Sequence, residues 1–531
     1  MLKILLGSFL IFLLLLFRNA YSENTLIPNL EPYPDAIYYI NESLNLSEGK
    51  GLKFIREHRI QTPPIPPLYP IILTPLYFLN DDPRTFYFTN VILSLIGAIF
   101  FYLILKNLFN WQITSILLFM YVTSYVIYWF PQFAMADNLL LTLFLASFLI
   151  LFQKINQKNV LLMAFLLVSL IATKYSAVPL SFSIALLYLL KIASNRFKRI
   201  KYGSFLLLEI AFFILTLAIF EYINKGVNMF LWFDAFNHLL TKPDSTKSIT
   251  FFNSNYFYNN FIRYLAGVMG GPLTIAGLEK SIIPVFVGTA ALFGLVLNLS
   301  LAFFTSRLKF ISLSLFLLSA GLILYISFFY AHDGRYIIPT IPLLILSLGI
   351  SLSFIKTYFI YKRAEHIFHI ILVGFFIYYI FLTIPQIKDE LTSRFSGQQK
   401  PINYLFVKTL NDYFKKVPED KKPLVISGLP PYFIDFYSNG NYDLLPFTKV
   451  IYLDSSPDTM THAWGPEDYS DIISLYKRKL STGYPIYITN FQLDQYYYFK
   501  REFKELNEKF KIVKVFDGCN GDCKIYNLSL K

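Results

Sequence analysis

The sequence predicts a mainly α polytopic membrane protein that ends in a small α/β domain. Three observations carry this. Of the 531 residues, 55% are hydrophobic and only 15% charged, where a soluble chain would carry about 25% charged residues. Apolar runs recur at close to the roughly 20 residues that a helix needs to cross a bilayer. From about Gln386 the pattern changes to short β-branched runs alternating with amphipathic stretches.

The net charge of +13 could suit nucleic acid. The basic residues fall instead in short connections between apolar runs, which is the charge bias of a membrane protein. The chain has two cysteines, too few for a disulfide-rich scaffold or a dense metal cluster. Cys519 and Cys523 flank Asn-Gly-Asp in a short hairpin, CNGDC. They are expected to close a disulfide if that region lies outside the cytoplasm.

The first apolar run, Leu2 to about Ala20, reads as a retained helix in preference to a signal peptide, because no convincing small-residue cleavage site follows it. A polar loop continues to about Pro83. Within it, Ile37, Ile40 and Leu44 mark a short amphipathic helix over Asp35 to Ser47; Glu42 follows Asp35 by seven residues on the same helical face, where it either joins that carboxylate or simply faces solvent. Pro66 to Leu79 is apolar but short and proline-rich, so it is placed at the membrane interface with Tyr69 and Tyr77 as anchors.

Ten further apolar segments are read as spans: 86–105, 113–130, 139–152, 160–172, 177–190, 205–222, 282–302, 311–330, 336–355 and 368–384. With the first helix this makes about eleven. The densest basic connection holds Lys191, Arg196, Lys198, Arg199 and Lys201. Placing it in the cytoplasm puts the N-terminus there too, and leaves the Asp35 loop, the long loop after Asn224 and the tail outside. The expected domains are therefore a membrane module over 1–385 and an extracytoplasmic α/β domain over 386–531. In the latter, KPLVISG, KVIYL and PIYIT read as strands, and Ile402 to Val417 and Ser470 to Lys479 as helices.

The candidate site residues are polar groups on the outer side. Asp35, in PDAIYY, is suited either to cap the following helix or to act as a general base toward an acceptor hydroxyl. Asp137, in AMADNLLL, is a helix cap or a second carboxylate on the same face. Asp35 and Asp137 together would suit a divalent cation, although two residues do not specify one. Lys174 interrupts an apolar region in TKYSAVPL, and either snorkels to the interface or meets a phosphate. In HDGRYIIPTIPLL, Arg335 either pairs locally with Asp333 or binds a departing phosphate, and His332 is a weaker candidate beside it. Trp232, Asp234 and His238 in the long loop form an acceptor-facing patch or simply pack that loop. A transporter could use the same intramembrane polar residues, but no pair of matching broken helices divides the sequence into two halves.

Taken in order, the PDAIYY loop with its Pro-Pro-Leu-Tyr end at Pro66 to Tyr69, AMADNLLL, TKYSAVPL and HDGRYIIPTIPLL resemble the multispanning GT-C glycosyltransferases that use lipid phosphosugars. That family includes the protein O-mannosyltransferases and the lipid A aminoarabinose transferases. The resemblance implies a GT-C-like transmembrane module and transfer, by inversion, of a sugar from a polyprenyl-phosphate (or dolichyl-phosphate) carrier. The acceptor would be an extracytoplasmic protein, lipid or glycan. It implies Asp35 as the catalytic carboxylate and Lys174 and Arg335 at the donor phosphate; Asp137 is taken beside them as a second catalytic candidate, and Tyr69 and His332 as further donor-binding candidates. The chain departs from the family pattern at Ala36, where many relatives carry a second acidic residue.

Overall fold

The computed structural model describes residues 2–18, 20–21, 36–52, 54–56, 59–61, 65–194, 199–225, 254–275, 278–281, 283–304, 309–329, 333–361, 364–395, 402–417, 422–427, 441–446, 469–491, 493 and 497–531. Within these, each of the eleven apolar segments is helical. In chain order the helices are α1 (Leu2–Leu16), α2 (Ala36–Ser47), α3 (Leu68–Tyr77), α4 (Phe86–Leu108), α5 (Trp111–Val122), α6 (Tyr125–Trp129), α7 (Asp137–Phe152), α8 (Gln157–Thr173), α9 (Val178–Ala193) and α10 (Arg199–Lys225). After these come α11 (Ser254–Val268), α12 (Val285–Phe304), α13 (Lys309–Ser327), α14 (Thr340–Tyr361) and α15 (Glu365–Phe395).

Among the described residues, six helices are long and apolar enough to cross a membrane, and the bent pair over α5 and α6 makes a seventh if it is one span. α1, α7, α8 and α12 are apolar but shorter. On α15 the exposed residues Ile370, Val373, Ile377, Phe381 and Ile384 recur every three or four positions. An aqueous surface would not tolerate such a stripe; lipid does.

Local sequence explains the breaks. Asn110 caps α5 by accepting from the Ile113 amide at 3.1 Å, and Asn156 caps α8 by accepting from the Asn159 amide at 2.8 Å. The 56° bend between α5 and α6 falls at Thr123 and Ser124. There the Thr123 hydroxyl meets the Tyr379 hydroxyl at 2.8 Å, and Tyr379 donates to the Met120 carbonyl at 3.3 Å. The polar groups at the break are thus met by a neighbouring helix, as a low-dielectric surrounding requires. Where α12 packs on α14, a Cβ at Gly294 would come within 2.8 Å of the Ser347 carbonyl oxygen, so the absence of a side chain sets how closely the helices approach.

Helix α7 is held at both ends by lysines, one just before α9 and one in its last turn. Lys174 pairs with Asp137 at its start, and Lys191 donates to the carbonyls of Leu151, at 2.8 Å, and Gln153 at its end. The second contact satisfies carbonyls that no further helical turn could reach, and sets a cation at the negative end of the helix dipole.

Two expectations for the first loop are corrected. Glu42 is fully buried on α2 and does not face solvent. Tyr69 and Tyr77 are buried too, at 0% and 3% exposure, so neither is a surface anchor. The Tyr77 hydroxyl donates to the Pro83 carbonyl at 2.8 Å, which ties the end of α3 to the start of α4.

A second compact unit includes Gln398–Lys531. It contains α16 (Ile402–Tyr413), α17 (Tyr469–Ser481), α18 (Tyr497–Lys509) and a five-stranded sheet. Earlier in the chain, β1 (Phe54–Arg56) pairs with β2 (Arg59–Gln61) and β3 (Pro272–Ile275) with β4 (Leu278–Ser281); the strands of the sheet are β5 (Leu424–Ser427), β6 (Asp443–Pro446), β7 (Ile486–Thr489), β8 (Phe510–Gly518) and β9 (Cys523–Leu530), in the order β6-β5-β7-β9-β8. β5 runs parallel to β6 and β7, whereas β9 is antiparallel to β7 and β8. Ile426, Ile473, Tyr476, Ile488, Leu506 and Leu528 form its largest core. The KPLVISG and PIYIT strands and both expected helices are present, while KVIYL lies outside the described residues.

Cys519 and Cys523 are joined as a disulfide at the tip of the β8–β9 hairpin. Cys523 is fully buried against Phe406 and Phe491. Removing so short a cross-link is expected to cost about 2 kcal/mol. The check is intact mass with and without reduction, which should differ by two hydrogens, together with unfolding of the reduced protein; an unchanged mass would refute the bond.

Candidate functional site

Three of the polar residues singled out from sequence meet around one cavity within the helical unit. Its empty space, mouth included, is about 340 Å³, and it is lined by Asp137, Lys174 and Arg335 together with apolar residues of α7, α9 and α13. These residues are 37 and more positions apart in sequence, so the fold assembles them.

Asp137 opens α7 and is 3% exposed. Its Oδ1 accepts from Lys174 Nζ at 2.6 Å, while Oδ2 is buried with no hydrogen-bond partner among the described residues. Lys174 leaves α8 in extended conformation, which turns its side chain back toward the start of α7. An ammonium carries three donors, so two remain beyond the Asp137 bond.

Arg335 stands in the short 3-10 turn Gly334–Ile337 that precedes α14. Asp333 caps this turn, with Oδ1 accepting from the Arg335 amide at 2.9 Å and Oδ2 lying 3.7 Å from Arg335 Nε. Burial raises the Asp333 carboxyl above the ordinary carboxylate range, against the opposing pull of Arg335. Tyr264 fastens the turn from α11: its hydroxyl accepts from the Asp333 amide at 3.2 Å and lies 3.3 Å from the Asp333 carbonyl.

Tyr336 joins the two cations. Lys174 Nζ lies 5.1 Å from its ring centroid and Arg335 Cζ lies 5.2 Å from it, both within cation–π range. Tyr325 of α13 and Phe329 just past its end complete an aromatic wall, at 4.9 Å from Tyr325 to Phe329 and 5.0 Å from Phe329 to Tyr336. The cavity therefore has a charged, aromatic end and an apolar lining that includes Leu140, Leu180, Leu322 and Ile326. An amphiphile with an anionic head and a hydrocarbon tail suits that division.

Tyr69 is placed differently from the sequence expectation. It does not line this cavity; its hydroxyl donates to Asn90 Oδ1 at 2.9 Å. Asn90 in turn donates to the carbonyls of Pro131 at 3.1 Å and Phe133 at 2.7 Å, bracing the chain that leads into Asp137. Asn90→Leu is expected to destabilise the helical unit by about 2–4 kcal/mol, since two buried carbonyls and a phenol lose their partner. Thermal unfolding in lipid nanodiscs measures this, and an unchanged transition would show that water replaces the amide.

Asp35, His332, Trp232, Asp234 and His238 lie outside the described residues. For the divalent cation, the described residues offer no fit. No three His, Cys, Asp or Glu side chains are grouped among them, and Asp137 is engaged by the Lys174 ammonium, which repels a cation. Tyr336, Tyr325 and Ser176 at the cavity were not singled out from sequence. The available signal for Tyr336 was its place directly after Arg335; Tyr325 sits in an apolar run, where one tyrosine among 39 carries none.

No protein-family model matches the sequence, and no curated protein does. Solved structures do resemble it. Over 98% of this chain and 97% of theirs, it superposes on ArnT from Cupriavidus metallidurans bound to undecaprenyl phosphate, with a TM-score of 0.58 and 12% identity. Over its full length it also superposes on 74% of the apo oligosaccharyltransferase of Archaeoglobus fulgidus, with a TM-score of 0.54 and 10% identity. At such identities the likeness establishes architecture alone, and by it the chain has the fold of the GT-C membrane glycosyltransferases.

Proposed function

We propose that the protein is a glycosyltransferase that moves a sugar from a polyprenyl-phosphate carrier to an extracytoplasmic acceptor. The observation that carries this reading is the single cavity in which Lys174 and Arg335 stand beside an apolar lining, in a fold shared with a protein whose structure holds undecaprenyl phosphate. The isoprenoid lies along the apolar wall, and Lys174 and Arg335 take the phosphate. Asp137 keeps Lys174 aimed at it. Attack by the acceptor hydroxyl on the anomeric carbon breaks the bond from that carbon to the phosphate oxygen. The hydroxyl proton passes to a base, for which Asp35 is the candidate, and the carrier leaves as its phosphate. Positive charge at the phosphate stabilises the leaving group most in the transition state, where its negative charge grows. Direct displacement inverts the anomeric centre.

The positive connections support a cytoplasmic N-terminus and an extracytoplasmic α/β domain. The domains proposed are a catalytic membrane module over 1–385 and this tail over 386–531. The acceptor is an extracytoplasmic protein, lipid or glycan.

Mass spectrometry of products tests the reading, after purified protein in nanodiscs is given candidate polyprenyl-phosphate sugars and a native membrane extract. A mass gain of one glycosyl unit on an acceptor, with release of polyprenyl phosphate, is expected. Exchange of intact lipid between the leaflets without glycosyl transfer would refute it. Lys174→Met and Arg335→Met should each weaken polyprenyl-phosphate binding by about tenfold or more. Equal affinity in wild type and both variants would remove these residues from the phosphate site.

A further inference from the structure

Tyr325 brings a polar group to the cavity that the transfer scheme leaves unused. It lies on α13 with Leu322 and Ile326, with Phe329 just past the helix end, and is the polar member of that set at the cavity wall. The other phenols of the site are occupied. The Tyr336 hydroxyl lies 3.5 Å from an Arg335 nitrogen, and the Tyr264 hydroxyl binds the Asp333 backbone. The Tyr325 hydroxyl is buried and has no hydrogen-bond partner among the described residues. Buried phenols almost always have one, because burial strips away the water that would otherwise serve.

We infer that Tyr325 donates its hydroxyl hydrogen to a non-esterified oxygen of the carrier phosphate, which makes it a binding and positioning residue for the donor; this rests on the function proposed above. The apolar neighbours Leu322 and Ile326 place the start of a hydrocarbon tail on the same helix face, so the head group of that lipid comes within reach of the phenol. Lys174 and Arg335 are each already opposite a carboxylate, Asp137 and Asp333. A neutral donor adds a hydrogen bond to the phosphate without requiring a carboxylate of its own. The aromatic run from Tyr325 through Phe329 to Tyr336 sets the phenol at a fixed position relative to both cations.

Tyr325→Phe keeps the ring packing and removes only the hydroxyl. Affinities of wild type and this variant are measured in the same nanodiscs for undecaprenyl phosphate and for undecaprenol. The expected result is roughly tenfold weaker binding of the phosphate, unchanged binding of the alcohol, and unfolding no easier than wild type without lipid. Equal affinity of both proteins for undecaprenyl phosphate would overturn the assignment. Equal losses for both lipids would overturn it in favour of a packing role. If wild type binds neither lipid better than a protein-free nanodisc does, the transfer reading itself fails, and this assignment with it.

Discussion

Asp137→Ala is expected to abolish transfer and to destabilise the helical unit by about 3–5 kcal/mol, because it strands the Lys174 ammonium in a site where that side chain is 13% exposed. Breaking a buried pair costs more than losing it whole. The double variant Asp137→Leu, Lys174→Met should therefore recover much of the stability, with no recovery of activity. Thermal unfolding and single-turnover transfer, measured on the three proteins in one nanodisc preparation, separate the two effects. A double variant no more stable than Asp137→Ala would show that the pair is not the source of the loss. Activity in Asp137→Ala near the wild-type level would remove Asp137 from the site altogether.

Asp35→Asn should lower single-turnover transfer by about 10²- to 10⁴-fold, the range that positioned general bases supply. Affinity for undecaprenyl phosphate should stay close to wild type, because asparagine keeps the volume and removes only basicity. The ratio of the two effects is diagnostic: a base acts on the chemical step, whereas a structural cap shifts binding and stability together. Wild-type transfer by Asp35→Asn would reject the base assignment. A matched loss of affinity and stability would assign the residue to capping α2.

The helices were largely legible in the sequence, because bilayer-length apolar runs and basic connections are one-dimensional signals. The site was legible as membership and not as geometry. Asp137, Lys174 and Arg335 could each be picked out as a charge where an apolar run begins or is interrupted, but nothing in the sequence says that Asp137 meets Lys174 at 2.6 Å. That pairing depends on how α7, α8 and α9 pack. Glu42 shows the reverse failure: a charged residue in a polar loop reads as solvent-facing, but the chain packed around α2 buries it. In the tail, the CNGDC hairpin was recognised without its strands. The alternation in Phe510–Phe516 and Lys524–Leu530 was available, but the charged, largely exposed outer face of β8 dilutes a signal that relies on buried residues.

Asn90 remains informative on a further point. A tyrosine expected at the donor serves instead to shape the approach to Asp137, so a change at Tyr69 could alter catalysis without touching substrate. Tyr69→Phe should then lower turnover with little change in carrier affinity.

The two lysine contacts along α7 have a mechanical consequence. A helix of 16 residues is roughly 24 Å long, and lysines hold it near both extremities, Lys174 of the α8–α9 connection at Asp137 and Lys191 of α9 at Leu151 and Gln153. Two fasteners that far apart resist both sliding and pivoting of α7 against the α8–α9 pair. If the cavity widens to admit a bulky head group, the displacement therefore falls on the opposing wall, made by α13 and the Arg335 turn. The α7–α9 side acts as the fixed jaw of a vice.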